Sequence, residues 1–438
     1  MINVDHHRCT YCGGCVNVCP VGSLTLAETR LLVSDNCIDC GDCVPACPVG
    51  ALQLGPRGPT DGLPLGRAYD VVVIGAGPGG STAARVAAEA GLSVLLLEKR
   101  QEIGSPVRCA EGVGHDGLVS FIQPDTLWIS ACLKRAEITT VVDDKSRTYG
   151  AEGGRGYVLE RCVFDRFLAE WAVRAGATVR VKTAATGVLM EGDSVCGVSI
   201  QGANCPQGGR GEVVSRVVIA ADGVESQLGR WAGLDVQLPL RETLVCAQYL
   251  LAGIQADPTC ACYFIGHDLA PGGYAWIFPK GEGKANVGLG VQAGMQRAGG
   301  ADPGTALAYL TRFIEARSYL AQGSPVALVT GNVPGALPPA RLVTDGLMLV
   351  GDAARQADPL TGGGIINAMV AGKLAAQAAI RAIEADDPSA DALRQYEKAW
   401  QQGTGRKMAR NHHLRERFPP GRRTDQRFVR AFALAVSG

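Results

Sequence analysis

The stretch Asp70-Val-Val-Val-Ile-Gly-Ala-Gly-Pro-Gly-Gly80, followed by an alanine-rich segment and Val94-Leu-Leu-Leu-Glu98, narrows the available folds more than any other. An apolar run ends in Gly75-x-Gly77-x-x-Gly80, a helical pattern follows, and a second apolar run closes on an acid 18 residues past Gly80. That order is a complete βαβ dinucleotide unit. Gly75 permits the tight turn, Gly77 lets a pyrophosphate approach the backbone, and Gly80 lets helix and strand pack closely. The helix N-terminus offers free N–H groups and a positive partial charge to the phosphates. Glu98 stands where a carboxylate accepts hydrogen bonds from a ribose. A glycine-rich helix start that binds nothing is the alternative, and the ordered strand, helix, strand and acid argue against it.

Upstream, Cys9-x-x-Cys12-x-x-Cys15-x-x-x-Cys19-Pro20 recurs as Cys37-x-x-Cys40-x-x-Cys43-x-x-x-Cys47-Pro48, an internal duplication with a period of 28 residues. Half of the 16 cysteines lie in these two runs. Their spacing is that of bacterial ferredoxins holding two [4Fe–4S] clusters, in which the fourth cysteine of each run crosses over. One cluster then takes Cys9, Cys12, Cys15 and Cys47, and the other Cys37, Cys40, Cys43 and Cys19. A zinc ribbon lacks the third cysteine and the Cys-Pro. Two clusters mean one-electron transfer. Gly55 to Gly66, rich in proline and glycine, reads as a linker that tethers this module to the rest.

At 438 residues the chain can bury a large core and should hold two or three domains. Lys+Arg and Asp+Glu each number 42, so overall charge points to no nucleic-acid partner. No long apolar run and no secretory leader are visible, which reads as cytoplasmic, with peripheral contact on the inner face of the membrane left open.

Later segments return to the βαβ unit. Gly156 to Ala172 opens an amphipathic helix in which Phe164, Phe167, Leu168 and Trp171 fall at core spacing. Residues 176–185 read as a strand, 202–211 as a Gly-rich hairpin, and Val217-Val-Ile-Ala-Ala-Asp222-Gly223 as a strand ending in a turn. Gly346-Leu-Met-Leu-Val-Gly351-Asp352 is another apolar strand, leading through Gly362-Gly-Gly364 into an alanine-rich helix. Asp352 can hold flavin-side hydroxyls, and the helix after Gly364 can stabilise negative charge gathered on a reduced flavin. These returns favour FAD over NAD, and no second Gly-x-Gly-x-x-Gly suggests a nicotinamide domain.

Together, Gly75–Glu98, Arg108-Cys109-Ala-Glu-Gly112, Arg161…Asp165, Ala221-Asp222-Gly223 and Gly351-Asp352…Gly364 resemble the geranylgeranyl reductase family. Pro271-Gly-Gly-Tyr274-Ala-Trp276-Ile-Phe278-Pro279 matches that family's P-x-x-Y-x-W-x-F-P motif at every fixed position, and the resemblance covers about residues 69–400. It implies a p-hydroxybenzoate hydroxylase-like α/β fold (α+β overall): a Rossmann-type FAD-binding domain with an antiparallel-sheet substrate domain, preceded here by the ferredoxin. The expected divisions are 1–55 for the ferredoxin, 56–68 for the linker, and 69–239 with 341–385 for FAD binding. Residues 240–340 form the substrate sheet and 386–438 a basic helical tail. By the same resemblance, FAD contacts fall on Gly79, Glu98, Cys109, Ala110, Gly112, Arg161, Ala185, Asp352, Gly364 and Ile365, alongside Gly75, Gly77, Gly80 and Asp222 from the motifs themselves.

On a strand, Tyr274, Trp276 and Phe278 share one face. They form either a core stripe or, as the motif implies, the wall of an apolar pocket suited to a polyprenyl chain. An isolated alkene needs hydride on one carbon and a proton on the other. The family resemblance places Cys109 nearest the ring and so makes it the leading proton donor, with His115, Tyr274 and water as alternatives, and implies that Tyr274 and Trp276 line the reacting chain. The expected activity is reduction of geranylgeranyl double bonds on a polyprenyl lipid, with an external low-potential donor filling the clusters. The alternative is an electron-transfer flavoprotein:quinone-type oxidoreductase passing electrons to a quinone. The tail places Phe428, Ala431, Phe432, Ala435 and Val436 on one helical face beside nine basic residues after Gly405, fitting a bilayer, the ferredoxin or the body. Cysteines outside the two runs read as packing residues, with Cys260-x-Cys262 set apart by its spacing.

Overall fold

The computed structural model describes residues 2–27, 30–55, 68–143, 145–203, 205, 210–295 and 305–437. The expected linker lies outside them except for Ala68, as does most of the connection inside the 202–211 hairpin.

Around Gly75, five strands run parallel: Thr178–Arg180, Val94–Leu97, Tyr69–Ile74, the second half of Arg210–Ala220, and Leu347–Leu349. Val71, Val72, Val73, Leu95, Leu96 and Leu97 are fully buried, which explains their unbroken apolar runs: a covered parallel sheet has no polar face. The helix Pro78–Glu89 starts immediately after Gly77 and packs against helices Arg161–Arg174 and Ile365–Glu384. Its clearance is minimal. A Cβ on Gly80 would stand 1.9 Å from the Gly75 carbonyl oxygen, and one on Gly372 would stand 2.1 Å from that of Gly79. The strand expected over 176–185 is broken instead at Lys182, whose φ of 51° turns the chain into Thr183–Glu191.

The second sheet has eight strands in the order Ser324–Pro334, Thr243–Ala252, Lys284–Gln292, Tyr274–Gly281, Cys260–Ile265, Ile129–Val142, Lys145–Leu159, Gly112–Gly114. This corrects the expected boundary. The substrate sheet is not confined to 240–340, because the hairpin of residues 129–159 leaves the FAD-binding domain and pairs in parallel with Cys260–Ile265. Ile138 and Val158 are fully buried because they pack there against Ile265 and Phe278 respectively.

The ferredoxin module is two small antiparallel pairs, Ile2–Val4 with Leu52–Leu54 and Leu24–Ala27 with Arg30–Val33. The duplication is written in its backbone: left-handed residues at Tyr11, Gly13 and Gly22 recur at Asp39, Gly41 and Gly50. Three of the eight residues in its buried cluster are cysteines, so the fold depends on what those thiols hold.

The tail does not form a unit of its own. Leu393, Tyr396, Trp400 and Met408 complete the core of the parallel sheet. Phe428, Val429 and Phe432, on the helix Gln426–Ser437, pack with Ile138 and Ile265 of the substrate sheet and with Leu360 of the turn before Ile365–Glu384. Each buried phenylalanine contributes about 1.5–3 kcal/mol there. Of the three partners fitted by this helix, the body is the one it packs against.

Candidate flavin and cluster sites

Two connected cavities run between the layers. The first, about 780 Å³, passes from Gly75, Gly77 and Glu98 along Ala185 and Asp222 to Arg161 and Asp352. The second, about 510 Å³, shares Gly77, Arg161 and Asp352 with it and continues past Gly79, Cys109, Ala110, Gly112, Gly364 and Ile365. It ends among Tyr274, Trp276, Phe278, Ala435 and Val436. Every expected FAD contact therefore faces one space except Gly80, which sits behind the turn and packs against Gly75.

The polar groups lining this space fit a dinucleotide. Gly77 and Gly364 cap their helices with no side-chain hydrogen bond, leaving N–H groups free at both helix starts. No atom lies within 4 Å of where a Cβ on Gly77 would be, so a phosphate can reach the backbone. Asp222 Oδ1 is buried without a partner, and burial pushes that carboxyl up. Asp352 is likewise pushed up by burial, with Arg161 working against the shift. Glu98 accepts from Ala76 N at 3.0 Å and Arg100 N at 2.9 Å, which aims its carboxylate along the first strand-to-helix turn. Arg161 is fixed by a fork of two bonds to Asp165, at 2.8 and 2.7 Å. Across the first cavity, Glu225 pairs with Lys99 at 2.6 Å and with Arg108, and these cations hold its carboxyl down at about 2.

Cys109 meets the second cavity where the two join. Glu111 N donates to its sulfur at 3.2 Å, and Gln248 Nε2 donates to its carbonyl at 3.2 Å. Trp276 Nε1 in turn donates to Gln248 Oε1 at 2.8 Å, so the motif tryptophan holds the cysteine loop as well as walling the cavity. Burial pushes the Cys109 thiol up against the pull of Arg161. Tyr274 is also pushed up by burial and donates its hydroxyl proton to the Thr361 carbonyl. His115 does not line the cavity; its Nδ1 lies 2.6 Å from Tyr157 Oη. Tyr274 and Trp276 (rings 5.8 Å apart) and Trp276 and Phe278 (6.4 Å) lie along one face, as the alternation predicts.

Sequence reasoning missed the support beneath Cys109. Glu111 is buried, and Lys280 Nζ (2.7 Å), Asn286 Nδ2 (2.7 Å) and Arg161 N (2.8 Å) all donate to its carboxylate. The available signal was Lys280, a charge following the aromatic strand motif directly. Cys246, which burial pushes up to about 12, is a second thiol on the cavity wall.

In the small module, Cys9, Cys12, Cys15 and Cys47 line one small cavity, and Cys43 faces Cys19, Cys37 and Cys40. These neighbours are the ones that the crossed grouping requires. Eight free thiols in two sets of four are a donor set that fits iron–sulfur clusters. The first set faces the flavin domain: Lys182 Nζ stands 5.0 Å from the Tyr11 ring, and Gln201 Nε2 donates to Asp5 Oδ2 at 3.5 Å. Thr183, next to Lys182, donates its N–H to the Glu98 carbonyl at 2.9 Å.

Family models match three parts of the chain: a 4Fe–4S dicluster domain over residues 1–48, an FAD-dependent oxidoreductase over 70–249, and a geranylgeranyl reductase catalytic domain over 242–333. A digeranylgeranylglycerophospholipid reductase from Methanosarcina acetivorans is 51% identical over 342 residues, covering 77% of this chain and 81% of that protein. The chain belongs to the geranylgeranyl reductase family. A reductase of the same name from Methanosphaerula palustris is 47% identical over 356 residues, covering 80% and 86% of the two chains. Among solved structures, a geranylgeranyl bacteriochlorophyll reductase-like protein from Thermoplasma acidophilum superposes with a TM-score of 0.75 at 42% identity, covering 80% of this chain and 87% of that one. A flavin-dependent brominase, at 20% identity and a TM-score of 0.68 over 84% of this chain and 94% of its own, shares the fold alone. This geranylgeranyl reductase is therefore an FAD-dependent oxidoreductase with a dicluster iron–sulfur domain at its N-terminal side.

Proposed function

We propose that this reductase saturates carbon–carbon double bonds of geranylgeranyl chains carried on a glycerophospholipid, drawing electrons through its two [4Fe–4S] clusters from an external low-potential donor. The observation that carries this reading is the second cavity, which leads without a break from Cys109 to the aromatic wall of Tyr274, Trp276 and Phe278. Such a space binds a linear run of methyl-branched isoprene units by apolar contact, with few polar anchors.

Bound FAD supplies the hydride equivalent. The chain's own residues do the rest. Gly77, Gly79 and Gly364 bring bare N–H groups to the cofactor, and Glu98, Asp222 and Asp352 take its hydroxyls. Cys109, kept as a thiol, is the proton donor to the second alkene carbon, and Tyr274 and Trp276 align the alkene. Cys9, Cys12, Cys15 and Cys47 would hold the cluster nearer the flavin domain and would supply its electrons, because Tyr11 and Asp5 beside them contact Lys182 and Gln201.

Where Lys407, Ala435 and Val436 line the cavity, Leu434 is 78% exposed and Arg406, Arg410 and Arg430 stand exposed nearby in the chain. An anionic bilayer surface suits that edge. No helix among the described residues is long and apolar enough to cross a membrane.

One anaerobic experiment tests the reading. The chemically reduced enzyme is mixed with digeranylgeranylglycerophospholipid, with a quinone, or with nothing, while flavin absorbance and product mass are followed. Lipid-dependent flavin reoxidation with a product heavier by two hydrogens per reduced bond is expected. Reoxidation by quinone alone would overturn it in favour of a quinone oxidoreductase.

A further inference from the structure

Cys260 and Cys262 take no part in the flavin chemistry. On the strand Cys260–Ile265, alternate side chains face opposite ways. Ala261 and Tyr263 line the substrate cavity, and the two cysteines project from the other side. Their sulfurs stand 3.7 Å apart. The neighbouring parallel strand sets Glu137 in register with Cys262, and the two sulfurs and a Glu137 oxygen all lie within 4.8 Å of one another.

Those spacings match a metal better than a disulfide. Tetrahedral zinc with bonds to sulfur of about 2.3 Å separates two thiolates by roughly 3.8 Å, nearly the distance already present. A disulfide needs the sulfurs at about 2.0 Å, and residues two apart on a strand lie near the ~6.8 Å limit of bridgeable Cα separation.

The charge around the cluster also fits. Two thiolates and one carboxylate on a divalent ion leave one net negative charge. Arg135 stands beside it, paired with Glu137 and, at 2.6 Å, with Asp257 Oδ2. Asp257 is itself held by Thr259 N at 2.8 Å, so the guanidinium that orients the Glu137 carboxylate is fixed from behind. Cys260 is buried, whereas the Glu137 side chain is 33% exposed and gives an ion its way in.

We propose that Cys260, Cys262 and Glu137 form a binding site for zinc(II), with water in the fourth position. Loading releases two thiol protons and forms two Zn–S bonds and one Zn–O bond to Glu137, the ion keeping one of its waters as fourth ligand, with no change of oxidation state. The bound ion would lock strand Ile129–Val142 to strand Cys260–Ile265, the one parallel pair in the substrate sheet, directly behind the cavity wall of Ala136 and Ala261.

The test uses the enzyme with FAD and clusters assembled, handled anaerobically, given one equivalent of zinc and desalted. About one zinc per chain is expected to remain, with two sulfur and two oxygen or nitrogen neighbours by X-ray absorption at the zinc edge. The Cys260→Ser/Cys262→Ser double variant should lose that zinc while keeping its flavin and cluster absorbance. Three outcomes overturn the proposal: no retained zinc, equal zinc in parent and variant, or a four-sulfur shell, which would place the ion among the cluster cysteines. The absorption measurement on the parent decides the matter even if the double variant fails to fold.

Discussion

Lys280 Nζ lies 2.7 Å from Glu111 Oε2 with both side chains 6% exposed, and this buried pair anchors the loop that carries Cys109. Lys280 also donates to the Leu159 carbonyl at 2.7 Å and pairs with Glu160, so the ammonium is surrounded by acceptors. Removing one member of such a pair leaves the other charge uncompensated, at a cost of about 3–5 kcal/mol. Lys280→Met is expected to lower the melting temperature and to weaken FAD retention, read by thermal unfolding and by flavin released on gel filtration. A variant that melts with the parent and keeps its flavin would show that the pair does not support the loop.

The state of Cys109 sets the direction of a pH profile. Burial raises its thiol above the ordinary value of 9.0, and a proton donor acts only while protonated. Alkene reduction should therefore hold level through neutral pH and fall only on the alkaline side, above about 9. Cys109→Ala is expected to slow the alkene step by roughly 10²–10⁴-fold, the usual worth of a positioned acid. Reduction of the flavin through the clusters should continue in that variant. Stopped-flow absorbance separates the two half-reactions, and parent-like alkene reduction would remove Cys109 from proton transfer.

Chain-length selectivity should respond to the terminal helix. Ala435 lines the far end of the cavity, so Ala435→Trp shortens the space without touching the flavin site. Its KM for a geranylgeranyl lipid should rise while a shorter prenyl substrate is still reduced. Phe432→Ala acts differently. That ring is 1% exposed and packs 5.6 Å from Tyr263 and 5.2 Å from Tyr274, so its loss should cost about 3–5 kcal/mol of stability.

The contact between Lys182 and Tyr11 predicts an asymmetry between the two clusters. A half-buried ammonium close to Cys9 stabilises the added electron on the cluster beside it. Lys182→Met should make one of the two midpoint potentials more negative and leave the other in place, in a titration followed by electron paramagnetic resonance. Equal shifts, or none, would detach Lys182 from the electron path.

The parts legible in the sequence were those set by local spacing. Gly75, Gly77, Gly80 and Glu98 act within one βαβ unit, and the eight cluster cysteines repeat at a fixed interval, so chain order alone carries their geometry. Tyr274, Trp276 and Phe278 alternate on one strand, and strand periodicity suffices to face them together. What stayed hidden depends on pairing between distant segments. Nothing in 129–159 announces that this hairpin joins a sheet built mostly from residues beyond 240. Glu111, Lys280 and Asn286 come together only because Gly112–Gly114 closes one edge of that sheet and Phe278 is in register with Asn286 near its middle. Cys260 and Cys262 read as packing residues until Glu137 arrives from the neighbouring strand.

That hairpin also limits how the molecule can move. The chain passes from the flavin layer to the substrate layer and back around residues 112–159, and again around 243–334, so the layers are stitched together at four crossings. Hinged opening of one layer away from the other would have to strain all four of these connections at once. Lipid exchange must then rely on a small local displacement, and the element placed to make it is Gln426–Ser437, held against the sheet chiefly through Phe428, Val429 and Phe432. The enzyme would admit its substrate through a side door while its frame stays rigid.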